Sequence, residues 1–253
     1  PVALYLGSAG VGRITVVDDD TVSLSNLQRQ VIHAQDRLGM DKVTSASIAL
    51  AGINPFVTVT PVRARLDAET ARATVAGHDL AIDATDNLPT RHLLNAACVA
   101  ARVPLLSGAI SQWEGQVTVY DPARGAPCLS CLFPTIPPDD LVPTCAAAGV
   151  MGALPGIVGS MMAAEAIVYR AAALYDAGHN PGVEANTAKM LAAEASWAAG
   201  EACVQTHGGF GFAAEYDVER KFRETRLYQV APISTNLIFA YVAEHVLGLP
   251  RSF

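Results

Sequence analysis

Five polar side chains in the first half of the chain have the chemistry needed to bind a nucleoside triphosphate. Asp18 follows a β-branched run and can accept hydrogen bonds from two ribose hydroxyls. Asn26 and Arg29, three residues apart, fall on one face of a turn or helix and can meet phosphate oxygens. Lys42 opens the next predicted helix, where its cation can reach the same phosphates. Asp86 offers a hard oxygen ligand suited to Mg²⁺ held mainly by phosphates.

Each of these residues also has a simpler, structural explanation. Asp18 could end a strand, and Arg29 and Lys42 could be solvated surface charges. Asp86 could cap the helix that Pro89 helps to open. Taken singly, the structural explanations are favoured. Taken together, at one edge of one predicted sheet, the five residues favour a binding site.

The cysteines predict an incomplete metal site. Cys128 and Cys131 form a C-x-x-C turn, the spacing of half a structural zinc site, and the sequence contains no second C-x-x-C. A redox or disulfide role for this pair is weaker because no thioredoxin-like pattern surrounds it. Cys98 and Cys203 lie in alanine-rich helical runs and are most simply core residues. Five cysteines without a pairing pattern fit a reducing cytoplasm.

The elements that must position these residues alternate short apolar runs with helical patterns, which is typical of an α/β fold with a parallel sheet. Because the carboxyl ends of parallel strands lie along one edge, we expect Asp18 and Asp86 to share one crevice. The predicted strands cover residues 13–18, 57–62, 80–85 and 103–109, with helices between them over 41–53 and 89–101.

Beyond Glu165 the pattern changes to helices without intervening strands, which indicates bundle packing. The helical patterns cover residues 168–177, 184–206 and 234–247. The second pattern ends in a glycine-rich turn whose glycines can adopt the left-handed conformation of a helix cap. The change falls inside a continuous helical pattern without a linker, and we predict domains at 1–166 and 167–253.

Composition argues against several classes of protein. The chain has 253 residues, 51% of them hydrophobic, and a net charge of −7, which disfavours a nucleic-acid partner. Residues 146–164 carry no charge, but glycines and a proline crowd this run. We interpret it as a loop followed by a helix buried against the sheet, rather than as a membrane span. No basic, apolar leader precedes Pro1, so a cytoplasmic protein is expected.

The first half of the chain resembles the adenylyltransferases that activate ubiquitin-like sulfur carriers. These are the ThiF and MoeB enzymes of thiamine and molybdopterin synthesis, relatives of ubiquitin-activating enzyme. The resemblance covers residues 1 to about 166 without a gap. It rests on the successive motifs DDDTVSLSNLQRQVIH, GMDKV, INP, DATDN, VPLLSGA, EGQVTVY, CLSC and TCAAAGVMGALPGIVGS.

The resemblance implies a Rossmann-like fold, a homodimer, and a reaction of ATP with the terminal glycine carboxylate of a carrier protein. The products would be a carrier acyl-adenylate and pyrophosphate. By motif position, Asp18 would hold the ribose, Asn26, Arg29 and Lys42 the phosphates, and Asp86 the Mg²⁺.

Three further features follow from this resemblance. Cys145 matches a cysteine that some members use in sulfur transfer, although a small buried hydrophobe is an equal alternative. Cys128 and Cys131 match one half of the family's zinc site. Members carry a first strand and a Gly-rich phosphate loop ahead of the point that matches Pro1, so we expect the sheet described here to lack both and activity to be impaired.

The second half resembles the C-terminal helical domain of acyl-CoA dehydrogenases over about residues 168–253, most clearly in QTHGGFGFAAEYDVER. The resemblance implies that Gln205, Gly208 and Gly209 would approach the pyrophosphate of FAD on a neighbouring subunit. Many members abstract a proton with a glutamate that follows the Tyr-Gln segment, and Pro232 stands at that position here.

Three functions therefore remain open from the sequence. The first is sulfur-carrier adenylylation, which is favoured because its motifs cover most of the chain. The second is an FAD-dependent acyl-CoA dehydrogenase, represented only by the second half. The third is an inactive chimera of two gene fragments.

Overall fold

The computed structural model of the protein describes residues 1–112, 114–137 and 149–251. It divides into two compact units, residues 1–162 and 163–253. The first unit contains strands and helices, whereas the described part of the second is helical. This confirms an α/β, Rossmann-like fold followed by an all-α segment.

The first unit begins with two αβ segments. Helix α1 spans Val2–Ser8, strand β1 Arg13–Val17, helix α2 Lys42–Ile53 and strand β2 Thr58–Val62. Strands β1 and β2 pair in parallel, with Arg13 opposite Thr58. Asp18 therefore follows the last residue of strand β1, and α2 begins with Lys42, as the sequence predicts.

A second sheet follows. Helix α3 spans Ala68–Val75, β3 Ala81–Asp83, α4 Leu88–Ala101, β4 Leu105–Ser111, β5 Glu114–Tyr120 and the short α5 Leu129–Leu132. Strand β3 pairs in parallel with β4, and β4 pairs antiparallel with β5. The core between this sheet and its helices contains Ala71, Leu94, Cys98, Leu105 and Tyr120.

The strands form two sheets rather than the single sheet expected from the sequence. Within the described ranges, β1 pairs with β2 and β3 pairs with β4, but no strand joins β1 to β3. Asp18 and Asp86 thus follow strands of separate sheets.

Helix α6, Leu154–Asp176, begins in the first unit and packs its first turns on the three-stranded sheet. A Cβ atom at Gly108 would lie 2.3 Å from the sulfur of Met162, and one at Gly115 would lie 2.5 Å from Val158. Because these two glycines lack a Cβ atom, α6 can pack close to the strands. By length and composition α6 is apolar enough to cross a membrane, a property that buried helices of globular proteins share.

The second unit contains three more helices, α7 Gly182–His207, α8 Val218–Val230 and α9 Thr235–His245. Helices α7 and α8 pack through Trp197 and Phe222, whose ring centroids are 4.7 Å apart, and the guanidinium of Arg226 lies 5.1 Å from the Trp197 ring. Ile238 of α9 is fully buried. These contacts form an apolar centre among the helices.

Candidate functional site

The loop after β1 brings Asp18 and Lys42 together. The ammonium of Lys42 lies 2.7 Å from Asp20 Oδ2 and 3.8 Å from Asp18 Oδ2, and the Lys42 side chain is only 11% exposed. The backbone N–H of Asp20 donates to Asp18 Oδ1 at 2.9 Å. Carboxylate oxygens of Asp18, Asp19 and Asp20 lie within 4.8 Å of one another. A half-buried cation thus sits beside an acidic turn, as a ribose and phosphate site requires.

Asn26 and Arg29 stabilise the turn that follows. Asn26 is buried in a short 3₁₀ turn, Leu24–Asn26, and its Oδ1 accepts the backbone N–H of Ser23 at 3.2 Å. The guanidinium of Arg29 donates to the carbonyl oxygen of Ser25 at 2.8 Å. Both side chains are therefore held in place by their own turn.

His33 and Arg37 join this site, although the sequence analysis did not single them out. The imidazole Nδ1 of His33 lies 2.9 Å from Ser45 Oγ, and Arg37 Nη1 donates to the Ser45 carbonyl oxygen at 2.5 Å. Burial, followed by the charges of Lys42 and Arg37, lowers the pKa of His33 despite the opposing effect of Asp18. Position alone could have suggested His33, since it closes the motif that begins at Asp18.

Asp86 lies in the loop between β3 and α4 and is exposed. It does not cap α4, because Asn87 is the N-cap and its Oδ1 accepts the backbone N–H of Thr90 at 3.0 Å. Among the described residues, the Asp86 carboxylate has no hydrogen-bond or ion-pair partner. The capping explanation for Asp86 is therefore wrong, and its oxygens are available to a cation.

A buried polar network underlies this loop. Asp83 Oδ1 accepts the Thr85 backbone N–H at 2.9 Å and the Thr85 hydroxyl at 2.7 Å, and its Oδ2 accepts the Ser107 hydroxyl at 2.9 Å. Arg91 Nη1 lies 3.5 Å from Asp83 Oδ2, and the two side chains are 11% and 0% exposed. Arg91 also donates to the carbonyl oxygens of Thr85 and Gly108. Neither Arg91 nor Ser107 carried a sequence signal that separated it from a surface residue.

Cys128 and Cys131 come together at the start of α5. Their sulfur atoms are 3.6 Å apart. Burial raises the pKa of Cys128, but hydrogen bonds with Asn95 and Cys131 outweigh it and leave the pKa below its ordinary value. In the described ranges, no third His, Cys, Asp or Glu joins the pair to form a metal site. Cys145 lies outside the described residues.

The glycine-rich turn of the second unit caps α7. Gly208 has a φ of +55° and donates its N–H to the Gln205 carbonyl oxygen. Gln205, Gly208 and Gly209 are exposed, and a Cβ atom at Gly209 would meet nothing within 4 Å. Gly208 is thus the C-cap, as predicted, but its ψ of −132° differs from that of the predicted left-handed helical conformation. The same exposed backbone is open to approach by a ligand.

Two protein-family models match the chain. The ThiF family model matches residues 1–196, and the model of the acyl-CoA dehydrogenase C-terminal domain matches residues 158–246. The two matches overlap in α6 and the first half of α7. The ThiF match thus extends beyond residue 166, where the resemblance in the sequence motifs ends.

Among the curated relatives, two examples each match about two thirds of the chain. The SAMP-activating enzyme E1 of Haloferax volcanii is 49% identical over 167 residues, which cover 66% of this chain and 61% of that protein. The molybdopterin-synthase adenylyltransferase of Escherichia coli is 52% identical over 163 residues, which cover 64% of this chain and 65% of that enzyme. The chain therefore spans less than two thirds of the length of these relatives.

Solved structures show the same fold at lower identity. The crystal structure of E. coli MccB with ATP has a TM-score of 0.55 and 19% sequence identity, and the match covers 67% of this chain and 51% of that one. With a family model that accounts for residues 1–196, the chain belongs to the ThiF family.

Proposed function

We propose that the protein adenylylates the C-terminal glycine of a ubiquitin-like sulfur carrier with ATP. The observation that carries this proposal is Lys42, a half-buried cation beside Asp18 at the N-terminus of α2. The names of the two enzyme relatives support the same chemistry. The identity of the carrier, the homodimer and a cytoplasmic location are parts of the same proposal.

In the proposed complex, the Asp18 carboxylate accepts hydrogen bonds from the ribose hydroxyls. Lys42 exchanges its exposed partner Asp20 for phosphate oxygens, a change that retains a charge-assisted contact. Arg29 and Asn26 lie in the adjoining turn and supply further donors. These residues position ATP rather than react with it.

Asp86 suits Mg²⁺ because its carboxylate is exposed and unpartnered within the described residues. Mg²⁺ binds few protein ligands and is held largely by substrate phosphates, whose charge it neutralises. A carrier carboxylate oxygen attacks the α-phosphorus of ATP. The bond from that phosphorus to the bridging oxygen breaks, and pyrophosphate leaves. The carrier then ends in an acyl-adenylate.

Zinc is a weaker part of the proposal. Cys128 and Cys131 supply two thiolates at a separation of 3.6 Å, and a structural zinc site needs four ligands. Cys145 would act in later sulfur transfer. For the chain as a whole, we propose an adenylyltransferase domain at 1–166 and a helical domain at 167–253.

The second candidate is an FAD-dependent acyl-CoA dehydrogenase, favoured by the family match over residues 158–246. Gln205, Gly208 and Gly209 retain an exposed backbone that could approach a pyrophosphate. The position of the glutamate base is occupied by Pro232, which cannot accept a proton. An inactive chimera is the third candidate.

The Asp86→Ala substitution tests the first candidate. Loss of the carboxylate should weaken Mg²⁺-dependent ATP binding and lower ATP–pyrophosphate exchange by about 100-fold, as for loss of one electrostatic group in an active site. Binding is measured by titration calorimetry with and without Mg²⁺. Exchange is measured with a ubiquitin-like sulfur carrier ending in glycine.

Asp79→Ala is the matched control, since Asp79 is another exposed aspartate of the same unit. This variant should bind ATP and catalyse exchange as the unmodified protein does. Equal exchange by Asp86→Ala and Asp79→Ala would remove Asp86 from the site. Absence of Mg²⁺-dependent ATP binding in the unmodified protein would refute the adenylyltransferase proposal.

A further inference from the structure

The loop that presents Asp86 is held by the buried network beneath it. Hydrogen bonds hold Thr85 on two sides. Its N–H and hydroxyl donate to Asp83, and its carbonyl oxygen accepts from Arg91. Asn87, on the other side of Asp86, fixes the start of α4 through Thr90. Asp86 thus lies between two anchored residues while its own carboxylate stays exposed.

The network ties together three elements. Asp83 ends β3, Ser107 lies in β4, and Arg91 lies in the first turns of α4. Ser107 joins the two charges, since its hydroxyl donates to Asp83 at 2.9 Å and lies 3.2 Å from Arg91 Nη1. Any shift of the loop would break several of these contacts at once.

Stability alone is a poor explanation for these charges. Removing an ion pair from water carries a desolvation cost, and well-packed apolar residues of similar volume are often as stable or more stable. Asp83 is nevertheless fully buried in an ion pair directly beneath the loop. A role in fixing the loop accounts for the placement of the charges.

We propose that Asp83, Arg91 and Ser107 are positioning residues that hold the Asp86 carboxylate where it can meet the Mg²⁺ of a bound nucleotide. This inference rests on the proposed function. Groups that orient a metal ligand typically affect metal affinity by tenfold or more. Loss of one member should therefore weaken the response to Mg²⁺ more than it changes the fold.

Ser107→Ala tests the proposal with a small change in volume. It removes the hydroxyl between Asp83 and Arg91 and leaves the two charges facing each other. We expect the Mg²⁺ concentration that gives half of the maximal ATP binding to rise by about tenfold. ATP binding at saturating Mg²⁺ should recover to within about twofold, because the nucleotide contacts of Asp18 and Lys42 remain.

Ala97→Gly is the control for a general loss of stability. Ala97 is buried in the middle of α4, outside the network, and glycine there should destabilise the helix. The control should leave the Mg²⁺ midpoint unchanged. Amide hydrogen exchange provides a second readout: the Thr85 N–H should exchange faster in Ser107→Ala than in Ala97→Gly.

The outcomes separate the two proposals. A Mg²⁺ midpoint that shifts equally in Ser107→Ala and Ala97→Gly, or in neither variant, would overturn the positioning role while leaving ATP binding intact. If the unmodified protein shows no Mg²⁺-dependent ATP binding, the proposed function fails and this inference fails with it.

Discussion

His33 lies among charged residues, and its surroundings lower the pKa of its imidazole. Its Nδ1 contacts Ser45 Oγ, while burial and the charges of Lys42 and Arg37 disfavour protonation. The charge of Asp18 opposes this effect. The imidazole of His33 thus contacts Ser45 at a site that already holds two positive charges.

The pH dependence of the free energy of unfolding should reveal the lowered pKa of His33. The pKa of His33 in the folded protein lies below its ordinary value of 6.5, so the unfolded chain binds more protons as pH falls through 6.5. Stability should consequently decrease from pH 7 toward pH 5. His33→Gln should make this decrease smaller in urea unfolding curves, whereas the exposed-site control His179→Gln should not. If the stability of His33→Gln falls between pH 7 and pH 5 as much as that of the unmodified protein, the lowered pKa of His33 is contradicted.

The candidate site was only partly predictable at this scale. Asp18 and Lys42 were predicted because a carboxylate after a strand and a cation opening the next helix form a local pattern. Arg91 and Ser107 were missed because their contacts span up to 24 residues and depend on how α4 crosses the sheet. A sequence shows residue types, but it does not show which buried polar groups meet.

The short elements depend on glycine where backbones approach each other. After α7, the chain turns through a 3₁₀ segment, Gly208–Phe212. A Cβ atom at Gly211 would lie 2.8 Å from the carbonyl oxygen of Val204 and 3.1 Å from its Cα. Both are backbone atoms of the preceding helix, so they cannot rotate away as a side chain would.

Gly211→Ala should accordingly destabilise the protein by about 1–3 kcal/mol, the usual cost of overpacking. Gly209→Ala is a matched control two residues away, where the added methyl group would meet open space. Its effect should be a few tenths of a kcal/mol. Chemical denaturation of both variants measures the difference, and equal stabilities would show that the turn relaxes to accept a methyl group.

Element by element, the sequence predicted four of the five strands in the described residues and missed β5, although β5 contains the β-branched run of residues 117–119. Strands β1 to β4 and helices α2, α4, α7 and α9 lie at the predicted places. Helix α8 was not predicted as a helix, because its surface is held by charge pairs such as Arg220 with Glu224 rather than by a strong apolar stripe. The separation into two sheets depends on which strands pair, and local patterns do not contain that information.

For the whole molecule, the two family matches do not coincide with the two compact units: the ThiF match covers residues 1–196, whereas the first unit ends at residue 162. The two family matches overlap over residues 158–196, and the regular elements in this stretch are helices α6 and α7. Helix α6 contains six alanines and two glycines among its 23 residues. The sequence there shows no linker that would mark a domain boundary.

The purified protein should be colourless and should not reduce an electron acceptor with any acyl-CoA. By resemblance, Gln205, Gly208 and Gly209 reach only the pyrophosphate end of FAD, and Pro232 replaces the base. Visible absorbance and an acceptor assay with acyl-CoA esters check this expectation. A yellow preparation with one FAD per chain would place the dehydrogenase candidate ahead of the adenylyltransferase.

The rate at which the Cys98 thiol is alkylated should report how often the core of the first unit opens. Cys98 lies on the buried face of α4 and is 1% exposed, and burial, reinforced by the charge of Asp83, raises the pKa of the thiol to about 12. An alkylating reagent can reach this thiol only when the core of the first unit opens. Cys131 and Cys203 are exposed and should react at once, so the prediction of Cys203 as a core residue is wrong. Because a ligand that binds the folded state suppresses opening, ATP with Mg²⁺ would slow the alkylation of Cys98. The mass increase at one cysteine would then measure nucleotide binding without a carrier protein or a catalytic turnover.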